Sequence, residues 1–391
     1  MAITPFQIAV PSAELDDLRA RLARTRWPDE IEGAGWSYGT DLHYLRELCG
    51  YWEREFDWCK QEAALNTFHN FRTQIGGLGL HFVHERASRP GALPVLLSHG
   101  YPDSFARFRT LIPLLTRPAP GDGAPDEVPD EVFDVVVPSL PGYGFSDRPR
   151  ERGMTPDRIA GVLLDLMTEL GYDRFVAHGG DWGGMVCDAL ARRAPERVLA
   201  THQTDIPWRP IFSVPPDQLT EPERAFIAAG KRWQKTEGAY GMIQGTRPQT
   251  LAYGVNDSPA GLAGWIVEKF RAWSDCGGDV ERRFTRDELL THITIYWVTQ
   301  TAGSAFRLYY ETATSKQPVQ AGRRPVPIGL AIFPHEIVPV PREFAERFHD
   351  VRRWTAMPRG GHFAAMEEPE LLAEDLRALC FRDLGLGSRS R

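Results

Sequence analysis

A chain of 391 residues with 42% hydrophobic content carries enough apolar material for a full core, arranged as one large domain with insertions or as two smaller ones. Its formal charge of −7 excludes the clustered basic surface that a polyanion requires, so nucleic acid is not an expected partner. Cys49, Cys59, Cys187, Cys276 and Cys380 are scattered without metal or disulfide spacing, and no stretch reaches the roughly 20 apolar residues of a membrane span; a cytoplasmic protein with no metal and no membrane contact is expected.

Ser12 stands as a helix N-cap before Glu14, Asp16 and Asp17, and Leu15, Leu18 and Leu22 recur at helical spacing until Trp27-Pro28. An opening helix follows from this. The aromatics through residue 75 (Trp36, Tyr38, Tyr44, Tyr51, Trp52, Phe56, Trp58) predict a segment wrapped over other structure. Short apolar runs then read as strands at 78–84, 95–98, 132–137, 175–177 and 198–202, with helical stretches between the later ones, and the Pro/Gly-rich acidic stretch at 119–132 reads as a surface loop. From 206 to 315 the chain turns aromatic and helical, and strand signals return at 326–333 and 351–357.

This order predicts an α/β fold: a mostly parallel, doubly covered sheet with a helical lid insertion and an N-terminal wrapping segment. The expected divisions are an N-terminal segment over 1–90, core over 91–205, lid over 206–315 and the rest of the core over 316–391.

Within HGGDWGG, at 178–184, Gly179-x-Asp181-x-Gly183 follows the short strand RFVAH and precedes the helical run MVCDALARR, the setting of a nucleophile elbow. A solvated Asp at a Gly-rich helix start would read the same way, so its companions decide. His362, in PRGGHFAAMEEPE after the last strand, is placed as the base, and Glu336, in FPHEIVP, is in the chain order of the acid that orients it. The loop SHGYPDSF, at 98–105, is expected to supply one oxyanion-hole N–H from Tyr101, with Trp182 supplying the other; Tyr101, Pro102 and Trp182 are also expected at the substrate.

A carboxylate nucleophile suits an sp³ electrophile. Serine would form an ether that water cannot cleave, whereas Asp181 would form an ester whose own carbonyl water can attack. Epoxides and alkyl halides fit such chemistry, and an opening epoxide also needs an acid of phenolic strength for its alkoxide.

QIAVPSAELDDLRARLARTRWPD, HGYPDSF, PGYGFSD, GGDWGG, DSPAGLAGWIVEKF, FPHE and RGGHFAAMEEPELL together resemble the epoxide hydrolases of the microsomal and fungal type over nearly the whole chain. The resemblance implies an α/β-hydrolase fold and an enzyme that converts an epoxide to a diol without a cofactor. It implies Asp181 as nucleophile, His362 as base and Glu336 as acid, with Tyr240 and Tyr309 as the lid tyrosines that protonate the epoxide oxygen. Tyr310 is adjacent and competes for the second place. The aromatic lid points to an apolar, aryl-substituted substrate, and a homodimer is compatible with the sequence. Without the anchor helix of the membrane-bound members, the chain resembles their soluble relatives. Two alternatives remain: a haloalkane dehalogenase with the same elbow, and a binding protein that kept the fold without catalysis.

His81 and His84 have metal-like spacing, but on a strand they would face opposite sides. His99 and His178 read as structural, and no dinucleotide or phosphate loop is present.

Overall fold

The computed structural model describes residues 2–87, 91–118, 131–316 and 322–386. Most of the acidic stretch at 119–132, and the division expected at residue 90, lie outside the described residues.

Among the described residues nine strands form one sheet: β1 (Thr4–Pro5), β2 (Asn70–Ile75), β3 (Leu78–Glu85), β4 (Leu93–Ser98), β5 (Phe133–Pro138), β6 (Phe175–Gly179), β7 (Val198–Gln203), β8 (Pro327–Ile332) and β9 (Asp350–Ala356). Their order is β1-β2-β3-β5-β4-β6-β7-β8-β9. Pairing is antiparallel from β1 through β3 to β5 and parallel from there to β9. The α/β-hydrolase fold with a mostly parallel sheet follows. The central strand β6 is buried along its whole length, as covering on both faces requires.

Neither β1 nor β2 was anticipated from the apolar pattern. β2, Asn-Phe-Arg-Thr-Gln-Ile, is mostly polar and is held by the Gly76-Gly77 turn, where both residues have positive φ, as a two-residue hairpin linking β2 to β3 demands. The opening helix spans Ser12–Ala23 and buries Leu15, Leu18 and Leu22. Its cap differs from expectation. Pro11 occupies the N-cap position, Ser12 is already helical, and no side chain caps the end; proline's fixed φ suits the chain entering the first turn.

Between β7 and β8 lies the helical insertion, with helices Glu221–Thr236, Ala239–Thr246, Pro248–Asp257, Pro259–Ala272, Arg286–Thr299 and Ala302–Thr314. Thr220 with Glu223 and Thr285 with Glu288 form capping boxes at two of their starts. The N-terminal helix Leu42–Arg54 packs on Pro259–Ala272 and Arg286–Thr299. Its Trp52 is buried and donates its indole N–H to the Thr294 hydroxyl at 3.0 Å, while Tyr51 donates to Asp287 at 2.8 Å. Thr40 adds a 2.6 Å bond to the Gly264 carbonyl, and Arg21 reaches Asp257 at 2.7 Å.

Replacing Trp52 removes a buried indole and leaves the Thr294 hydroxyl without its donor. Trp52→Ala is expected to cost about 3–5 kcal/mol, read as a lower denaturant midpoint in equilibrium unfolding. An unchanged midpoint would mean that this contact does not hold the N-terminal segment to the insertion.

Candidate active site

Asp181 sits between β6 and the helix Trp182–Arg193 with φ 56° and ψ −127°, in a region that residues with a Cβ rarely enter. The glycines around it are explained by close approach. A Cβ on Gly183 would lie 2.0 Å from the Ser98 carbonyl oxygen, and one on Gly179 would lie 2.5 Å from the Gly183 carbonyl carbon. One on Gly100 would press on Asp181 Oδ1 at 2.6 Å. The strand end, the β4 loop and the elbow can therefore meet only through glycine.

Tyr101 donates its backbone N–H to Asp181 Oδ1 at 2.8 Å, and the Trp182 backbone N–H lies near enough to favour the charged carboxylate. The Tyr101-Pro102 peptide is cis. His362, just past the isolated bridge between His335 and Gly361, is fixed by its own N–H to the Trp273 carbonyl at 2.9 Å. Its Nδ1 lies 2.6 Å from Glu336 Oε1, and its Nε2 lies 3.7 Å from Asp181 Oδ2. The second distance is too long for a hydrogen bond.

Charge is concentrated here. Burial raises the pKa of Asp181 against the pull of His362 and of the two backbone N–H groups. Burial alone would lower that of His362, but Glu336, Asp181 and Asp205 together outweigh it and lift it to about 9. Asp205 was not anticipated. It lies two residues beyond β7, accepts the Asp181 backbone N–H at 2.9 Å, and is pushed upward by burial and by the neighbouring carboxylates of Glu336 and Asp181. The rule that sites gather at the carboxyl ends of parallel strands could have found it.

A cavity of about 340 Å³ opens onto Asp181 and His362. Trp182, Trp208, Trp233, Ile337 and Val338 give it apolar walls, while Tyr240 and Tyr309 line it from the insertion. Of the adjacent tyrosines, Tyr309 lines this cavity and Tyr310 lines a different one. The rings of Tyr240 and Tyr309 meet edge to face at 5.9 Å, and Tyr309 packs on Trp182 at 4.6 Å. The Tyr309 hydroxyl lies near that of Tyr240 and eases its ionisation, yet it has no well-formed hydrogen bond among the described residues. Burial, and after it Asp181, keeps Tyr240 protonated well above the usual phenol range; in Tyr309 burial leads again, followed by Tyr240.

Tyr101 and Pro102 do not line the cavity. The Tyr101 ring stands behind it, stacked on Tyr240 at 6.2 Å, so its backbone rather than its side chain meets the site. The four other histidines singled out in the sequence are engaged elsewhere. His81 is hydrogen-bonded to Ser139 and Asn70, His84 to Tyr172, and His178 to His202; His99 accepts the Leu140 N–H.

Residues 3–108 match the family described as epoxide hydrolase N terminus, and residues 94–247 match alpha/beta hydrolase fold. A protein of Stigmatella aurantiaca provisionally named an epoxide hydrolase is 43% identical across 98% of this chain and 85% of its own. Epoxide hydrolase 1 of Sus scrofa is 36% identical, covering 96% of this chain and 88% of the relative. The solved epoxide hydrolase of Aspergillus niger superposes with a TM-score of 0.84 at 30% identity, over 98% of this chain and 97% of that one. By sequence along nearly its whole length and by fold, the chain belongs to the epoxide hydrolase family.

Proposed function

We propose that this protein opens an apolar epoxide, aryl-substituted ones included, by forming an ester on Asp181 and then hydrolysing it to a vicinal diol. The observation that carries this reading is the Asp181 carboxylate, with Oδ1 on the Tyr101 N–H and Oδ2 toward His362, facing the cavity lined by Tyr240 and Tyr309. The free Oδ2 attacks a ring carbon, the C–O bond of the epoxide breaks, and a tyrosine hydroxyl passes a proton to the leaving oxygen. Oδ1 remains the ester carbonyl. The imidazolium returns a proton through solvent to the phenolate; water, losing a proton to the now neutral His362, adds to the ester carbonyl, negative charge collects on Oδ1 beside the N–H groups, the Cγ–Oδ2 bond breaks, His362 passes its proton to the departing oxygen, and the diol leaves.

The resting site holds His362 charged, which suits attack by anionic Asp181 but not proton abstraction. Ester formation removes one of the negative charges that raise the imidazole pKa, so His362 shifts toward the neutral form needed for the second step. The phenol pair favours an epoxide over an alkyl halide, because a halide leaves without taking up a proton. The helical insertion acts as the lid, and the apolar walls support an aryl substituent. Five free cysteines, four of them buried, support a reducing, cytoplasmic setting.

In a single turnover with excess enzyme in ¹⁸O-water, the diol from styrene oxide should stay unlabelled while the peptide holding Asp181 gains the isotope. His362→Gln should accumulate an adduct of substrate mass on that peptide. Labelled diol with no adduct would instead make Asp181 a base for direct attack by water.

Tyr240→Phe or Tyr309→Phe should each slow ester formation by roughly 10- to 100-fold, and the double variant by more than about 10³-fold. Wild-type alkylation by the double variant would remove both phenols from the reaction.

Glu336 supplies the largest charge that raises the His362 pKa, so Glu336→Gln should lower it. The rate of ester hydrolysis rises with pH as His362 loses its proton; in Glu336→Gln that rise should move to lower pH, and the plateau should fall by roughly 10- to 100-fold as the ring loses its anchor. A rise at unchanged pH would separate Glu336 from the imidazole.

A further inference from the structure

Lys269, in the lid helix Pro259–Ala272, is only 6% exposed. Its ammonium lies 4.9 Å from the centre of the Tyr240 ring and 5.7 Å from that of Trp273, and it is ion-paired with Glu268 beside it. The Trp273 ring in turn packs edge to face on His362 at 5.3 Å. Burying an ammonium is costly, and a methionine of similar reach would fill the gap between two aromatic rings more cheaply. The placement asks for an electrostatic reason.

Other groups also act on this pair. Asp181 from the elbow, Tyr101 from the β4 loop and Tyr309 from the helix Ala302–Thr314 face Tyr240, and Glu268 acts on it from the same helix as Lys269. Glu237, ahead of Tyr240, interacts with both Glu268 and Lys269. Asp181, Tyr101 and Glu268 all oppose ionisation of Tyr240, whereas the Lys269 cation over the ring favours it. A phenol that gives up its proton spreads negative charge into its ring. A cation against the ring face is attracted to that charge more strongly than to the neutral ring.

We propose that Lys269 is a positioning residue for the proton donor: lying against the face of Tyr240, it stabilises the phenolate character that grows as Tyr240 protonates the opening epoxide. The inference rests on Tyr240 acting as that donor. No substrate contact is assigned to Lys269. Because ester hydrolysis uses His362 and water, Lys269 should matter to the first chemical step and not to the second.

Single-turnover reactions of the full chain with styrene oxide, followed by tryptophan fluorescence across a pH range, separate the two steps. Lys269→Met should slow alkylation about tenfold. Hydrolysis of the ester should change by less than about twofold. Lys269→Arg, which keeps the cation, should restore most of the alkylation rate. Glu268→Gln, which keeps Lys269 but removes a charge that opposes phenolate formation, should speed alkylation, and it serves as the test if Lys269→Met does not fold. If Lys269→Met slows both steps alike and arginine does not rescue it, the lysine only fills space and the inference is overturned. Wild-type alkylation in Lys269→Met, or unchanged alkylation in Glu268→Gln, while Tyr240→Phe is slow, overturns it and leaves the donor assignment standing. Wild-type alkylation in Tyr240→Phe overturns the donor assignment and the inference with it.

Discussion

The backbone at Asp181 is the constraint on which the site depends. Holding a residue with a Cβ at φ 56° costs on the order of 1–3 kcal/mol, and the surrounding structure must over-determine it. Here it does so by close contact. The chain at Gly183 approaches the end of β4 so nearly that no side chain fits, and the Asp181 N–H is held by Asp205. The strained turn lifts the carboxylate out of the sheet and aims it at the backbone N–H of the neighbouring loop. Without that geometry the same Asp would be an ordinary helix cap.

Around this fixed point the electrostatics form a balance rather than a set of separate pairs. Asp181, Glu336 and Asp205 surround one imidazole in a largely buried site, and each carboxylate raises the pKa of His362 while His362 steadies Asp181. In the proposed reaction the enzyme discharges one of these anions by alkylating it. The site is thereby retuned by its own intermediate, with no need for a conformational change to turn a cationic histidine into a base.

The elements that proved legible in the sequence are those whose geometry leaves little choice. Gly179-x-Asp181-x-Gly183 is written by steric exclusion, and the order of Asp181, Glu336 and His362 follows from strands delivering residues to one edge of a parallel sheet. Parallel strands read as continuous apolar runs and were visible. β2 was not, because an edge-side antiparallel strand carries polar residues that match no apolar run, and its hairpin shows only as two glycines. The cap at Ser12 was misplaced because Pro11 can open a helix without any side-chain bond. Lys269 and Asp205 left no local signal: their environments are made by segments far apart in the chain. Tyr309 and Tyr310 are neighbours that sequence alone could not separate, and helix phase settles which one faces the cavity.

The N-terminal helices bind the insertion through Trp52, Thr40 and Tyr51, while β1, at the start of the same segment, is stitched onto β2 in the main sheet. One stretch of chain thus straps the cover to the base, and the cover cannot swing as a rigid flap without tearing those bonds. In the proposed reaction a substrate then enters and leaves past a wall that includes Trp208 and Trp233. On that reading, bulk in a substrate is limited by the frame of the cavity rather than by the swing of a cover.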